Sequence, residues 1–312
     1  MDITILLWLQ EIRTSMWPWI ENIAALLSDL LSHLSVVIPF LVYWTVSRKK
    51  GQKLLGILAL SFFLNQFVKS SFCVYRPWVR DARIVPSSAA VTNATGYSFP
   101  SGHSQSSAAG YGGLAYEFKD NRKLVSAMLV IIFLAGFLRL FLSVHTPQDV
   151  LCGLALGALS IFLVQKIFAW LSKGNRSTMF LTAGLLVCAA GIAYALLKEY
   201  PMDYVSGELI TDPAEMLKDA MASIGLSAGI ILGGYLENRY VRFTDAETNR
   251  QRIIRILTGS AGIGIIYLCV KFLMKPYVDP SVYNFTKAFL PILFAVYVFP
   301  LLLKKYEKNV QL

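Results

Sequence analysis

Residues 123–143, KLVSAMLVIIFLAGFLRLFLS, place fifteen uncharged residues in a row between Lys123 and Arg139. As a helix this segment reaches about 30 Å, the thickness of a bilayer's hydrocarbon core. Reading outward, comparable stretches recur at 20–46, 51–72, 101–118, 147–171, 178–198, 213–236, 253–274 and 283–304. The expected fold is all-α, a polytopic transmembrane helix bundle of about nine spans. Residues 2–16 form a further apolar stretch with Trp8 and Trp17 near its ends, and neither a basic leader nor a small-residue cleavage site accompanies it. It reads as a retained interfacial helix rather than a signal peptide. Of the 312 residues, 55% are hydrophobic and 15% charged, and the mean hydropathy is +0.55. Soluble domains carry about 25% charge, so this chain has too little to cover a water-facing surface of its size. Disorder, collagen-like repeats and disulfide-stapled secreted domains are excluded. Cys73, Cys152, Cys188 and Cys269 lie far apart without zinc spacing and read as small core residues.

One span differs from the rest. Residues 101–118, SGHSQSSAAGYGGLAYEF, are too small and polar to face lipid. Such helices sit inside a bundle, where Gly, Ala and Ser let backbones approach closely. The net charge of +10 is a topology signal. With nine crossings, alternate loops share a side. One side collects Arg48, Lys49, Lys50, Lys53, Lys119, Arg122, Lys123, Lys166, Lys173 and Arg176. It also collects Arg239, Arg242, Arg250, Arg252, Arg255, Lys304, Lys305 and Lys308, which makes eighteen of the 29 basic residues. The positive-inside rule makes that face cytoplasmic, with the amino terminus outside and the carboxyl terminus inside a plasma membrane. Membrane lipids are the expected partners, and nucleic acid is not. The chain divides into an interfacial helix at 1–19, a catalytic bundle at 20–172 and a four-helix transmembrane extension at 173–312.

Three short segments fall on the opposite, non-cytoplasmic face: Lys69-x6-Arg76-Pro77, Pro100-Ser101-Gly102-His103 and Arg139-x5-His145-x3-Asp149. Lys69, Arg76 and Arg139 supply three cations, and the guanidinium forks suit phosphate oxygens. Ser101 can cap a helix, Gly102 lets a ligand approach the backbone, and the N–H groups there attract an anion. With a span starting near Pro147, Asp149 sits on its first turn and accepts a hydrogen bond from His145. That bond fixes the tautomer and leaves the other ring nitrogen nucleophilic. His103 remains as general acid for the leaving oxygen. The set describes phosphoryl transfer through a phosphohistidine. It needs neither cofactor nor metal, because the cations supply the charge stabilisation.

These segments resemble the signature of the type 2 phosphatidic acid phosphatase superfamily, K-x6-R-P, P-S-G-H and S-R-x5-H-x3-D, over roughly residues 20–171. The resemblance implies phosphate binding by Lys69, Arg76, Ser101, Gly102 and Arg139. It implies His145 as nucleophile, Asp149 as its orienting partner and His103 as acid. Leu138 stands where the pattern has Ser. The implied activity is hydrolysis of a terminal phosphate or pyrophosphate from a lipid at the outer leaflet. Transfer to a second lipid, and binding for transport or scrambling, are the alternatives.

Outside these segments, Asp29 and His33 share a face of the first span and are expected to satisfy one another. Residues 198–212 read as a solvated acidic connector, and Glu237 as the partner of Arg239 and Arg242. Trp78 and Tyr97 fit an interfacial aromatic belt. Arg80 and Arg83 are divided between headgroup anchors and site residues. The last four spans suit a lipid-groove wall or a homo-oligomer interface better than a pore, because the runs 223–229 and 259–264 are rich in Gly, Ala and Ser.

Overall fold

The computed structural model describes residues 2–205 and 207–310, and the side chains of 307–310, Lys308 included, lie outside that description. In chain order the helices begin with α1 (Asp2–Ser15), α2 (Pro18–Thr45), α3 (Arg48–Phe72) and the short α4 (Pro77–Arg80) and α5 (Ser88–Val91). They continue with α6 (Gly102–Glu117), α7 (Arg122–Phe141), α8 (Pro147–Leu171) and α9 (Ser177–Leu197). A small antiparallel hairpin, β1 (Tyr204–Val205) and β2 (Glu208–Leu209), leads to α10 (Pro213–Leu236) and a π-helical turn at Glu237–Val241. Then come α11 (Asn249–Met274), α12 (Pro280–Leu293), a second π-helical turn at Phe294–Val298, and α13 (Phe299–Val310). Among the described residues eight helical stretches are long and apolar enough to cross a membrane. The all-α, polytopic reading holds. The polar span expected at 101–118 is α6, a helix of 16 residues that is mostly buried and does not qualify by length and hydropathy.

The chain forms two compact units, Met1–Val36 with Leu64–Phe162 and Lys198–Met216, and Val37–Phe63 with Leu163–Leu197 and Leu217–Leu312.

In the first unit α6 is gripped by backbone. A Cβ at Gly110 would lie 2.4 Å from the carbonyl oxygen of Ser35, one at Gly153 2.6 Å from that of Ser101, and one at Gly157 2.6 Å from Cβ of Ala108. These approaches explain why α6 is built of small residues. Several of its polar atoms find partners inside the unit: Tyr111 donates to the Leu31 carbonyl at 2.7 Å, Asn65 donates to Gln105 at 2.8 Å, and Ser32 lies 3.2 Å from Ser106. The segment 198–212 is largely exposed, as expected of a solvated connector, and is anchored by tyrosines. Tyr200 donates to Ser70 at 3.0 Å and stacks on Tyr97, while Tyr75 donates to Asp203 at 2.5 Å. Tyr97 is wholly buried rather than part of an interfacial belt. Packing of three tyrosine rings, two with hydroxyls bonded to polar partners, anchors a segment whose acidic side chains stay in solvent.

In the second unit the run 223–229 packs as its small residues require. A Cβ at Gly225 would meet the Phe285 carbonyl oxygen at 2.4 Å and one at Gly229 that of Phe289 at 3.0 Å, which brings α10 against α12. The π-helical turn at Phe294–Val298 presents two carbonyls to α2, where Trp44 donates to Ala295 at 2.9 Å and Tyr43 to Val296 at 2.8 Å. Glu237 is buried and accepts from Arg48 at 2.6 Å and from Gln52 at 2.6 Å. The expected pairing with Arg239 and Arg242 is not made, because those two side chains point outward from a turn that Arg242 closes at φ +50°. A cavity of about 610 Å³ with mostly apolar walls, Leu60, Phe63, Phe168 and Ile231 among them, lies within this unit. Cys188 is buried there, whereas Cys269 is exposed on α11, a helix that buries little of its surface. The core assignment of Cys269 is therefore corrected.

Candidate active site

All three predicted segments meet in the first unit. α3 carries Lys69 in its last turn, and Cys73 ends that helix in the left-handed region at φ +49°. The chain then runs through Arg76 into α4. Arg76 is buried and donates to the carbonyls of Thr95 at 2.7 Å, Gly96 at 3.1 Å and Val144 at 3.1 Å. The same Nη1 lies 3.0 Å from Nε2 of His145. A guanidinium has no lone pair to offer. Arg76 is thus the donor, Nε2 the acceptor, and the imidazole proton sits on Nδ1.

His145 reaches this position because Ser143, at φ +56°, turns the chain sharply between α7 and α8. Asp149 lies in the first turn of α8, as its spacing predicts. Its Oδ2 accepts from Ser98 Oγ at 2.6 Å and from the Thr146 N–H at 2.7 Å, and faces His145 Nδ1 at 3.5 Å. Ser98 Oγ also stands 3.4 Å from that Nδ1. The carboxylate is therefore fixed chiefly by Ser98 and the backbone, with the imidazole at the long end of hydrogen-bonding range. Burial, and secondarily the charge of Arg76, hold the His145 pKa well below the ordinary imidazole value, against the upward pull of Asp149. His145 is neutral at neutral pH.

α6 begins at Gly102 with Ser101 as its N-cap, the hydroxyl accepting from the Ser104 N–H at 3.4 Å and the Ser104 hydroxyl at 3.0 Å. Ser101 donates its own N–H to the Asp149 carbonyl at 3.0 Å, which ties the PSGH segment to α8. Gly102 has only ordinary contact distance to Asn65, so the backbone there stays open to approach. Arg139, in the last turn of α7, is 1% exposed and donates to Ser28 at 3.0 Å, while its Nε is buried without a hydrogen-bond partner among the described residues. Such an orphan costs about 1–3 kcal/mol, and a phosphate oxygen would satisfy it. Three buried cations, Lys69, Arg76 and Arg139, stand against two carboxylates, Asp29 and Asp149.

Several residues sit apart from their expected places. His33 Nδ1 bonds the backbone oxygen of Asp29 at 2.7 Å, and the Asp29 carboxylate turns instead to His103 at 3.0 Å and Asn93 at 2.7 Å. Arg80 pairs with Asp2 and Arg83 with Asp81, both away from the histidines. Leu138 packs with Ala135, Leu142 and Val144, so that side chain points into the apolar core. Sequence reading missed Ser98, Ser28 and Asn93. Only Ser98, two residues before the PSGH segment, stood close enough to a motif to be noticed. Among the described residues no three His, Cys, Asp or Glu side chains are grouped to hold a metal ion.

Cations, a helix N-terminus and oriented histidines inside a helical membrane bundle belong to the class of membrane-embedded phosphatases. Residues 51–173 match the PAP2 superfamily and residues 221–309 match the PAP2 superfamily phosphatase, transmembrane extension. Phosphatidylglycerophosphatase B of Bacillus subtilis (strain 168) is 31% identical over 166 residues, which are 51% of this chain and 74% of that protein. No solved structure matches the chain. The chain belongs to the PAP2 superfamily.

Proposed function

We propose that the protein hydrolyses a terminal phosphate from a membrane lipid at the non-cytoplasmic face, without a metal ion, through a phosphohistidine on His145. The observation that carries this reading is the bond from Arg76 Nη1 to His145 Nε2, because it identifies the ring nitrogen whose lone pair is available. When a phosphate binds, Arg76 exchanges that bond for a phosphate oxygen, and Arg139 gains the partner its Nε lacks. Lys69 and the N–H groups at the start of α6 take further oxygens. Nε2 then attacks phosphorus, the bond to the lipid oxygen breaks, and His103 gives that oxygen a proton. Asp149 stabilises the charge that develops on the His145 ring. In the second step His103 takes a proton from water, the water oxygen attacks phosphorus, and the N–P bond breaks to release phosphate.

The first substrate to try is phosphatidylglycerol phosphate, on the name of the Bacillus relative. Phosphatidic acid, a sphingoid-base phosphate and undecaprenyl pyrophosphate follow on the family resemblance. The test is phosphate release by the purified protein in detergent with EDTA present, from this panel and from one water-soluble phosphate ester, with His145→Ala alongside. Release that survives chelation and is lost in the variant is the expected result. Release that stops with EDTA contradicts metal independence. Phosphate that appears only when an acceptor is excluded, and moves to a second lipid when one is supplied, assigns the site to transfer.

A further inference from the structure

Asp29 belongs to none of the three motif segments, yet its carboxylate is the group in contact with the second histidine. His103 Nε2 lies 3.0 Å from Asp29 Oδ1, and the other oxygen, Oδ2, accepts from Asn93 Nδ2 at 2.7 Å. Arg139 Nη1 stands 4.0 Å from Oδ1. The carboxylate is thus held from the α5–α6 loop on one side and from α7 on the other.

We propose that Asp29 is the positioning residue of His103, fixing its tautomer and ring orientation as Asp149 orients His145. This rests on the acid role assigned to His103 above. The charged groups facing that ring are Asp29 from α2, Arg139 from α7 and Lys69 from α3. Two cations oppose protonation of the imidazole, and one carboxylate in direct contact favours it. Without Asp29 none of those groups would favour a proton on the ring, and Nε2 would lose the partner that fixes its tautomer. With it, Nε2 keeps its proton toward Oδ1 in both half-reactions, and Nδ1 does the exchange. Nδ1 gives its proton to the lipid oxygen as that bond breaks, and then takes one from the water that attacks the phosphohistidine. The two dyads are mirror assignments: Asp149 engages Nδ1 of His145 and leaves Nε2, whereas Asp29 engages Nε2 of His103 and leaves Nδ1.

A group that works through the general acid matters in proportion to how poor the leaving group is. The test compares kcat/KM, which reports steps up to leaving-group departure, for a dialkyl lipid phosphate and for p-nitrophenyl phosphate. Wild type, His103→Ala, Asp29→Asn and Asn93→Ala are assayed as purified full-length proteins. For Asp29→Asn the expected loss is about 10²-fold on the lipid phosphate and several-fold at most on the nitrophenyl ester, in the pattern of His103→Ala. Its alkaline limb on the lipid phosphate should move to lower pH. Asn93→Ala should show a smaller loss with the same leaving-group selectivity, and Asp29→Glu should recover part of the rate. If His103→Ala discriminates between the esters but Asp29→Asn lowers both equally, or neither, the positioning role is overturned while the acid role stands. If His103→Ala itself loses both equally, the acid role falls and the inference with it.

Discussion

His145 is buried in the protonation state that a nucleophile needs, and that choice has a thermodynamic consequence. Its folded pKa is depressed, so below the ordinary imidazole value of about 6.5 the unfolded chain binds a proton that the folded chain refuses. The stability contributed at this position is present above that pH and falls as pH is lowered through it, by up to about 1.4 kcal/mol per pH unit. Thermal unfolding in detergent should therefore show wild type losing more stability between pH 7.5 and 5.5 than His145→Gln does; equal losses would contradict the burial of a neutral ring. Ser98 offers a second check. Its hydroxyl bonds the Asp149 carboxylate at 2.6 Å, and a bond to a charged group contributes about 1.5–3 kcal/mol. Ser98→Ala should lower kcat by roughly tenfold with little change in KM, since Asp149 keeps the Thr146 N–H. His145 and Asp149 were legible in the sequence because four residues fix their relation within one turn. Asp29 and Asn93 were not, because only the folded bundle brings α2 beside the first turn of α6. A local rule paired Asp29 with His33 at the same spacing of four, and there the helix backbone carbonyl took the imidazole instead.

At the level of elements, α6 is positioned by contacts that leave no room for a side chain. Gly157→Ala would drive a Cβ to 2.6 Å from Ala108 Cβ and 2.8 Å from the Gln105 carbonyl oxygen. Overpacking of this kind costs about 1–3 kcal/mol and would push the start of α6 away from His145. Gly264 on α11 has nothing within 4 Å of the same position, so Gly264→Ala should leave stability unchanged or raise it by up to about 1 kcal/mol. Paired melting curves and phosphate-release rates check both; a tolerated Gly157→Ala would show that α6 is free to shift. The small-residue run of α6 announced a buried helix in the sequence, since no other environment suits such a composition in a membrane chain. The segment 198–212 carried no comparable signal. Its tyrosine anchors, Tyr75, Tyr97 and Tyr200, are scattered along the chain, and acidic composition alone suggests solvation.

For the whole molecule, hydropathy and loop charge were the most readable properties, because membrane thickness and charge placement act on each segment separately. Eight qualifying helices among the described residues agree with the hydropathy reading. Sidedness follows as a prediction. Single cysteines introduced at Asp203 and at Gly174, in a background lacking the four native ones, should react with an impermeant maleimide from outside intact cells only at Asp203. Labelling at Gly174 alone would invert the orientation and place the site in the cytoplasm. The transmembrane extension matches at residues 221–309, and its small-residue run at 223–229 announced the close packing seen there, whereas the 610 Å³ cavity left no mark in the sequence.

Covalent capture tests the chemistry most directly. The purified protein is mixed with a lipid labelled in its terminal phosphate, quenched in alkali within one turnover, digested and analysed for phosphorylated peptides. The geometry predicts base-stable, acid-labile phosphate on the peptide containing His145, absent from His145→Ala. Label on another residue, or rapid phosphate release with no labelled protein under any quench, would contradict nucleophilic attack by His145.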